Sequence, residues 1–158
     1  MRNDSAMQNP TPPDDAVTAL QRLHRLLSRS LPRYLEDARP WLRGGQEEMA
    51  AAIGRLAADQ ADYAQRVADA IVARGDRPEP GAFPLRFAGL NDASIGHVLA
   101  EVIERQRREL VEIERSAARL RDEPELADLA EEILGNAQGH LEILENLAAS
   151  PLAGLDDR

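Results

Sequence analysis

Apolar residues recur at alternating steps of three and four along four segments of this chain, which is the period of an amphipathic helix. No segment shows the strict alternation of apolar and polar residues that is typical of a half-buried strand. The pattern predicts four helices, spanning about residues 14–39, 46–74, 91–120 and 124–150. We therefore expect an all-α fold with helices of nearly equal length.

Glycine and proline mark where the predicted helices bend, start and end. Pro32 lies inside the first segment, where it removes a backbone donor, so we expect a kink there. Gly75 follows the second segment directly and is a usual C-terminal stop. Asn91 or Asp92 would cap the third helix, and Pro124 is tolerated in the first turn of the fourth.

The connections between the predicted helices limit the topology. The first and second helices are joined by a few residues, as are the third and fourth, so each pair should be an antiparallel hairpin. The middle connection, about residues 75–90, is rich in proline and glycine. An extended chain of that length reaches about 50 Å at ~3.3 Å per residue, more than the roughly 42 Å length of the second helix. The connection can therefore cross the whole bundle, and an up-down bundle with a decorated loop stays open as the alternative.

The composition adds class and domain count to this outline. At 158 residues, 43% of them hydrophobic, the chain fits one domain, which we place at residues 14–150. We expect residues 1–13 to be a disordered lead-in and residues 151–158 to be a C-terminal tail. The absence of cysteine excludes disulfides, thiolate zinc sites and cysteine nucleophiles. No stretch approaches the roughly 20 apolar residues that span a bilayer, so we expect a cytoplasmic protein.

The charge balance argues against nucleic acid and membranes as partners. The formal net charge is −9, with 28 acidic against 19 basic residues, so no general basic field attracts a polyanion. The third helix nevertheless carries a series of arginines: Arg105, Arg107, Arg108, Arg115, Arg119 and Arg121. Glutamates are interleaved with them at three- and four-residue spacing, which favours a solvated, salt-bridged face over a binding patch.

Three segments resemble parts of a known superfamily. Residues 26–39 look like the first helix of bacterioferritin-like proteins, residues 58–67 look like the second, and residues 131–142 are similar to the fourth. In such proteins a Glu and a His one turn apart both point inward and share a metal. Over about residues 15–148 the chain thus resembles the ferritin-like superfamily of bacterioferritin- and rubrerythrin-like proteins. The resemblance implies a ferritin-like four-helix bundle of two antiparallel helical hairpins joined by the long crossover.

The same resemblance implies where the ligands of a di-iron site would stand. The Glu of the first helix would fall at Leu27, or at Ser30 if the register shifts. The other ligand positions hold Gln60, Tyr63, Gln106, Ala137 and His140. Neutral amide and phenol oxygens are poor ligands for two hard cations, so only His140 clearly remains. We therefore predict a degenerate di-iron site with no metal, no cofactor and no catalytic residue.

The polar side chains on the core-facing stripes allow three interpretations. Four of them at matching depth would hydrogen-bond to one another as a neutral network. We call this set the core quartet: Gln60, Tyr63, Gln106 and His140. Alternatively, the small Ala137 would leave a pocket for water or a small ligand. In the third interpretation His140 binds one metal weakly with Glu104 or Tyr63, which depends on whether Glu104 or Gln106 faces the core.

The remaining histidines and the paired glycines carry weaker signals. His24 falls on the apolar stripe and is expected at the edge of the core, whereas His97 lies off its stripe near a helix start. Gly135 and Gly139 are four residues apart, so another helix could approach closely, either within the bundle or across a dimer.

The function that follows is non-enzymatic. The sequence has no glycine-rich phosphate loop and no G-x-S-x-G elbow. We predict a helical scaffold or interaction module that forms a homodimer and has a protein or small ligand as its partner. The alternative is a residual ferritin-like metal-binding protein, for iron storage or as an oxidoreductase, that uses His140 with a nearby carboxylate.

Overall fold

The structure, a computed structural model, describes residues 14–150 and is all-helical over that range. The α-helices are α1 (Asp15–Ser28), α2 (Leu31–Tyr34), α3 (Glu47–Ala73), α4 (Ile95–Arg119) and α5 (Pro124–Ala148). A 3-10 helix covers Leu85–Leu90, and within residues 14–150 no strand forms. The prediction of an all-α fold is confirmed. The predicted lead-in (residues 1–13) and tail (residues 151–158) lie outside the described residues.

No helix within residues 14–150 is both long and apolar enough to cross a membrane. The four long helices are amphipathic, and each turns its apolar face toward the others.

The first predicted helix is broken rather than kinked, so that prediction is wrong in detail. α1 ends at Ser28, and Ser30 adopts an extended backbone with φ −69° and ψ 161°. Its Oγ accepts a hydrogen bond from the backbone N–H of Arg33 at 3.3 Å, so Ser30 is the N-cap of α2. Pro32 therefore lies in the first turn of a new helix, where its missing N–H costs nothing.

The start of α4 also differs from the prediction. Neither Asn91 nor Asp92 caps this helix, because both precede it by more than one residue. The cap is Ser94, whose Oγ accepts from the N–H of His97 at 3.4 Å. The predicted end of α3 just before Gly75 and the predicted start of α5 at Pro124 both agree with the structure to within a residue.

The four long helices pack in a closed ring of neighbours. α1 contacts α3 and α4, and α5 contacts the same two helices. Arg74, directly after α3, pairs with Asp14 at 3.0 Å and also with Glu123. Since Asp14 precedes α1 and Glu123 precedes α5, the end of α3 lies beside the starts of both helices.

The long connection between α3 and α4 runs along the second half of α1 and reaches α2. Near its beginning, the backbone N–H of Glu79 donates to the Gln21 side chain at 3.0 Å. Further on, the carbonyl of Gly81 accepts from Arg29 Nε at 2.6 Å. At its end, Tyr34 of α2 donates to Asn91 at 2.6 Å. The connection therefore starts α4 at the far end of the helices from where α3 finishes.

The core consists of two apolar clusters with polar side chains between them. One cluster contains Leu31, Leu56 and Leu144, and the other contains Leu27 and Ile133. At the boundary on successive helices lie Ser30, Gln60, Gln106 and His140. This polar layer crosses the middle of the helices at the depth where the sequence predicted the core quartet.

Candidate functional site

Hydrogen bonds within the polar layer join α2 to α3 and α4 to α5. Ser30 Oγ donates to Gln60 Oε1 at 2.6 Å, and both residues are buried. Gln106, only 2% exposed, places its Nε2 3.5 Å from the carbonyl oxygen of Ala137. The Gln106 amide thus lies against Ala137, where the sequence had suggested a vacant pocket.

The structure distinguishes the two candidates for the ligand position that the resemblance implies on the first predicted helix. Leu27 is buried in one apolar cluster, whereas Ser30 contacts Gln60 directly. The resemblance allowed either Leu27 or Ser30 as the ligand position of the first helix. Only Ser30 contacts Gln60, the implied ligand position of the second predicted helix.

His140 lies where α5 meets α3 and is held by a carboxylate. Its Nε2 donates to Asp59 Oδ2 at 2.7 Å, and Asn136 Nδ2 donates to the same oxygen at 2.8 Å. The hydrogen bonds from Asn136 and His140 hold the pKa of Asp59 below its ordinary value, outweighing partial burial. The His140 side chain is 12% exposed, so the carboxylate fixes its ring in a largely buried position.

A second cluster of ionisable side chains, Tyr63, Arg66 and Glu132, lies about one turn along the same two helices. Tyr63 hydrogen-bonds to Glu132, and burial followed by this contact raises the pKa of the Tyr63 hydroxyl. Glu132 also pairs with Arg66, whose guanidinium lies 5.4 Å from the centre of the Tyr63 ring. The hydrogen bonds from Arg66 and Tyr63 lower the pKa of the Glu132 carboxyl.

We call these two groups the polar seam, because they line the contact between α3 and α5. Its members are Asp59, Tyr63 and Arg66 of α3, and Glu132, Asn136 and His140 of α5. Every charged side chain in the polar seam has an opposite charge or a hydrogen-bond donor beside it.

The predicted pairing of the core quartet is wrong. Gln60 bonds to Ser30, Gln106 approaches a backbone carbonyl, Tyr63 bonds to Glu132 and His140 bonds to Asp59. The four side chains share a depth but diverge to different neighbours, because Tyr63 and His140 turn toward the edge of the core.

The structure also decides whether Glu104 or Gln106 of α4 faces inward. Gln106 is buried, while Glu104 is exposed and pairs with Arg108 at 3.1 Å and Arg107 at 3.8 Å. The carboxylate beside His140 is therefore Asp59 and not Glu104. Within residues 14–150, no group of three or more His, Cys, Asp or Glu side chains is placed to hold a metal ion.

The sequence interpretation missed Asp59, which lies one residue before Gln60. The missed signal is a second polar row on each helix, spaced at three and four residues. Asp59, Tyr63 and Arg66 form this row on α3, and the matching row on α5 repeats every four residues from Glu132 through Asn136 to His140.

The outlying residues fall mostly as expected. His24 is buried and lies 3.4 Å from Ser28 Oγ, and burial lowers its pKa. His97 is exposed. Gly135 and Gly139 are exposed, and a Cβ on either would meet nothing within 4 Å. Within residues 14–150 no helix packs closely on these glycines, and the approach across a dimer stays a prediction.

The chemistry of this site is that of a structural hydrogen bond between His140 and the Asp59 carboxylate. Oδ2 of Asp59 already accepts two hydrogen bonds, so a metal at this oxygen would compete with Asn136 and His140. The ligand positions implied on α3 and α4 offer only neutral oxygens, which bind hard cations weakly. No known protein family, curated protein or solved structure matches this chain.

Proposed function

We propose that this chain is a ferritin-like four-helix bundle in which hydrogen-bonded side chains have replaced the di-iron centre. The order of contacts supports the proposal, since α1 pairs with α3 and α4 pairs with α5 as sequential hairpins. So does the course of residues 75–90 along α1, which makes α3 and α4 run in the same direction. A single long crossover between two hairpins is also a feature of ferritin-like folds, which supports the proposal.

Within this fold we propose a non-enzymatic role as a helical scaffold or interaction module, active as a homodimer. The observation that carries it is the contact between His140 and Asp59, at 2.7 Å. The one histidine kept at an implied ligand position is bound to a carboxylate and directed to the helix contact. The other implied positions are neutral or apolar, so the centre of the bundle supports helix register rather than redox chemistry.

Elemental analysis tests this proposal. Protein purified from cells supplemented with iron and manganese should contain far less than one metal ion per chain and should remain folded. The same analysis of His140→Ala, with exposed His97→Ala as the matched control, should show no further loss of metal. Near-stoichiometric iron or manganese that His140→Ala removes and His97→Ala retains would contradict the proposal.

One observation favours the residual metal-binding alternative, for iron storage or as an oxidoreductase. His140 and Asp59 bring an imidazole and a carboxylate together across two helices, and both are metal ligands. Under this alternative, Asp59→Ala should remove bound metal as fully as His140→Ala does. If neither variant changes the metal content, the pair is structural.

A further inference from the structure

Five arginines meet in one recess between α1, α4 and the connection that precedes α4. The recess has a volume of about 260 Å³, and its charged lining residues are Arg25, Arg29, Arg86, Arg105, Arg108 and Glu109. We call it the arginine recess. Its arginines come from three separate parts of a chain whose net charge is −9, so the overall composition conceals it.

The positive charges in the arginine recess are compensated only in part, since Arg105 pairs with Glu101 at 3.6 Å and Arg108 pairs with Glu104 at 3.1 Å. Within residues 14–150, neither Arg25 nor Arg86 has a carboxylate partner within 4.0 Å. Burial and then the charge of Arg86 lower the pKa of the Arg105 guanidinium. Glu109 is the only carboxyl in the lining, and burial raises its pKa to about 8. Because its pKa is raised, Glu109 compensates the guanidinium charges less at pH 7 than an ordinary glutamate would.

Aromatic rings and a backbone carbonyl hold two of these arginines, Arg29 and Arg105, in place. Arg29 donates to the carbonyl of Gly81 at 2.6 Å and stacks 4.9 Å from the centre of the Phe83 ring. Arg105 lies 4.8 Å from the centre of the Phe87 ring, its side chain is 16% exposed, and its buried Nε has no hydrogen-bond partner within the described part of the chain. Guanidinium donors fixed in this way lose little entropy when an anion arrives.

We propose that the arginine recess binds a small phosphate-bearing molecule. Planar guanidinium groups match the oxygens of a phosphate and bind them in a bidentate manner. The volume of about 260 Å³ lies just below the usual range for pockets that take drug-sized ligands, which favours a small phosphate compound over a dinucleotide. Leu26 and Pro84 also line the recess and give the uncharged part of such a ligand an apolar contact.

Isothermal titration with pyrophosphate at constant ionic strength tests the proposal. The wild-type chain should bind one pyrophosphate, and Arg25→Gln/Arg86→Gln should weaken binding at least tenfold. Both arginines are exposed, so the variant should keep the circular dichroism spectrum of the wild type. The matched control is Arg55→Gln/Arg119→Gln, which removes the same charge from exposed positions outside the recess and should bind as the wild type does.

Three outcomes would overturn the proposal. The first is no saturable binding by the wild type. The second is an equal loss of binding in the control variant, which would reduce the effect to general charge. The third concerns a labelled single-stranded oligonucleotide. If the wild type binds it more than tenfold more tightly than pyrophosphate, and Arg25→Gln/Arg86→Gln abolishes that binding, the recess serves nucleic acid instead of a small molecule.

Discussion

The polar seam and the arginine recess lie on helix pairs that share no member, and they treat charge in opposite ways. In the polar seam, Asp59 faces His140 and Glu132 faces Arg66, so each carboxylate has a donor. In the arginine recess, Arg25 and Arg86 face other arginines and a single carboxyl. Paired charges fix the register of two helices, whereas unpaired charges of one sign attract a ligand of the other. The contrast separates a region whose charged side chains have partners from a region that offers unpaired charge to a ligand.

The largest expected effect is a difference in how the stability of the two regions responds as the pH rises from about 4.5 to about 8. The folded-state pKa of Glu109 is about 8, against an ordinary value of 4.5. A raised pKa means that Glu109 favours folding below its ordinary value and that this contribution is lost as the pH rises toward 8. Glu109→Gln should therefore gain stability over the wild type between these pH values, by a slope approaching about 1.4 kcal/mol per pH unit.

Urea unfolding from pH 4 to pH 9 measures this slope. Glu114→Gln, an exposed position on the same helix, is the matched control and should follow the wild type throughout. A Glu109→Gln curve parallel to that of the wild type would mean that Glu109 is ionised at neutral pH and compensates the arginines, which would remove the contrast between the two regions.

A smaller effect is expected in the polar seam. Asp59→Ala leaves the donors of Asn136 and His140 without their acceptor, so the free energy of unfolding should fall by about 1–2 kcal/mol at pH 7. The ordinary pKa of an aspartate is 3.8, and the pKa of Asp59 in the folded state is lower. Its contribution is therefore complete above about pH 4 and lost as the pH falls through the lower folded-state value.

The matched control for this change is Asp62→Ala, an exposed aspartate on the same helix. Both substitutions raise helix propensity alike, so the difference between them isolates the contacts of Asp59. Equal stabilities for the two variants at pH 7 would show that the Asp59–His140 pair contributes nothing, and would weaken the structural assignment of the polar seam.

The helical architecture follows from the sequence because amphipathic periodicity is a local signal that four segments express strongly. The break at Ser30 is harder to predict, because a proline inside an apolar stripe indicates a kink as readily as a new helix start, although a serine two residues before a proline suits the start of a helix. The contact between Ser30 and Gln60 depends on that break, so its register could not be chosen from periodicity alone.

The two charged regions were harder to predict for different reasons. Asp59 lies off the apolar stripe by one residue, and its role appears only when α5 brings His140 beside it. The arginines of the recess come from α1, the connection and α4. On α4 alone they alternate with glutamates and resemble a solvated face, and Arg107 indeed turns away to pair with Glu145 at 3.1 Å. Only tertiary structure separates it from Arg105 and Arg108.

The most direct test of the contrast is a pyrophosphate titration followed by the arginine Nε–Hε signals in ¹H–¹⁵N correlation spectra at constant ionic strength. We predict saturable shifts for Arg25, Arg86 and Arg105, with no comparable change for Arg66 and Arg74, whose guanidinium groups are already paired with carboxylates. Shifts of similar size in both groups, or shifts confined to Arg66 and Arg74, would contradict the assignment of the arginine recess as the binding region.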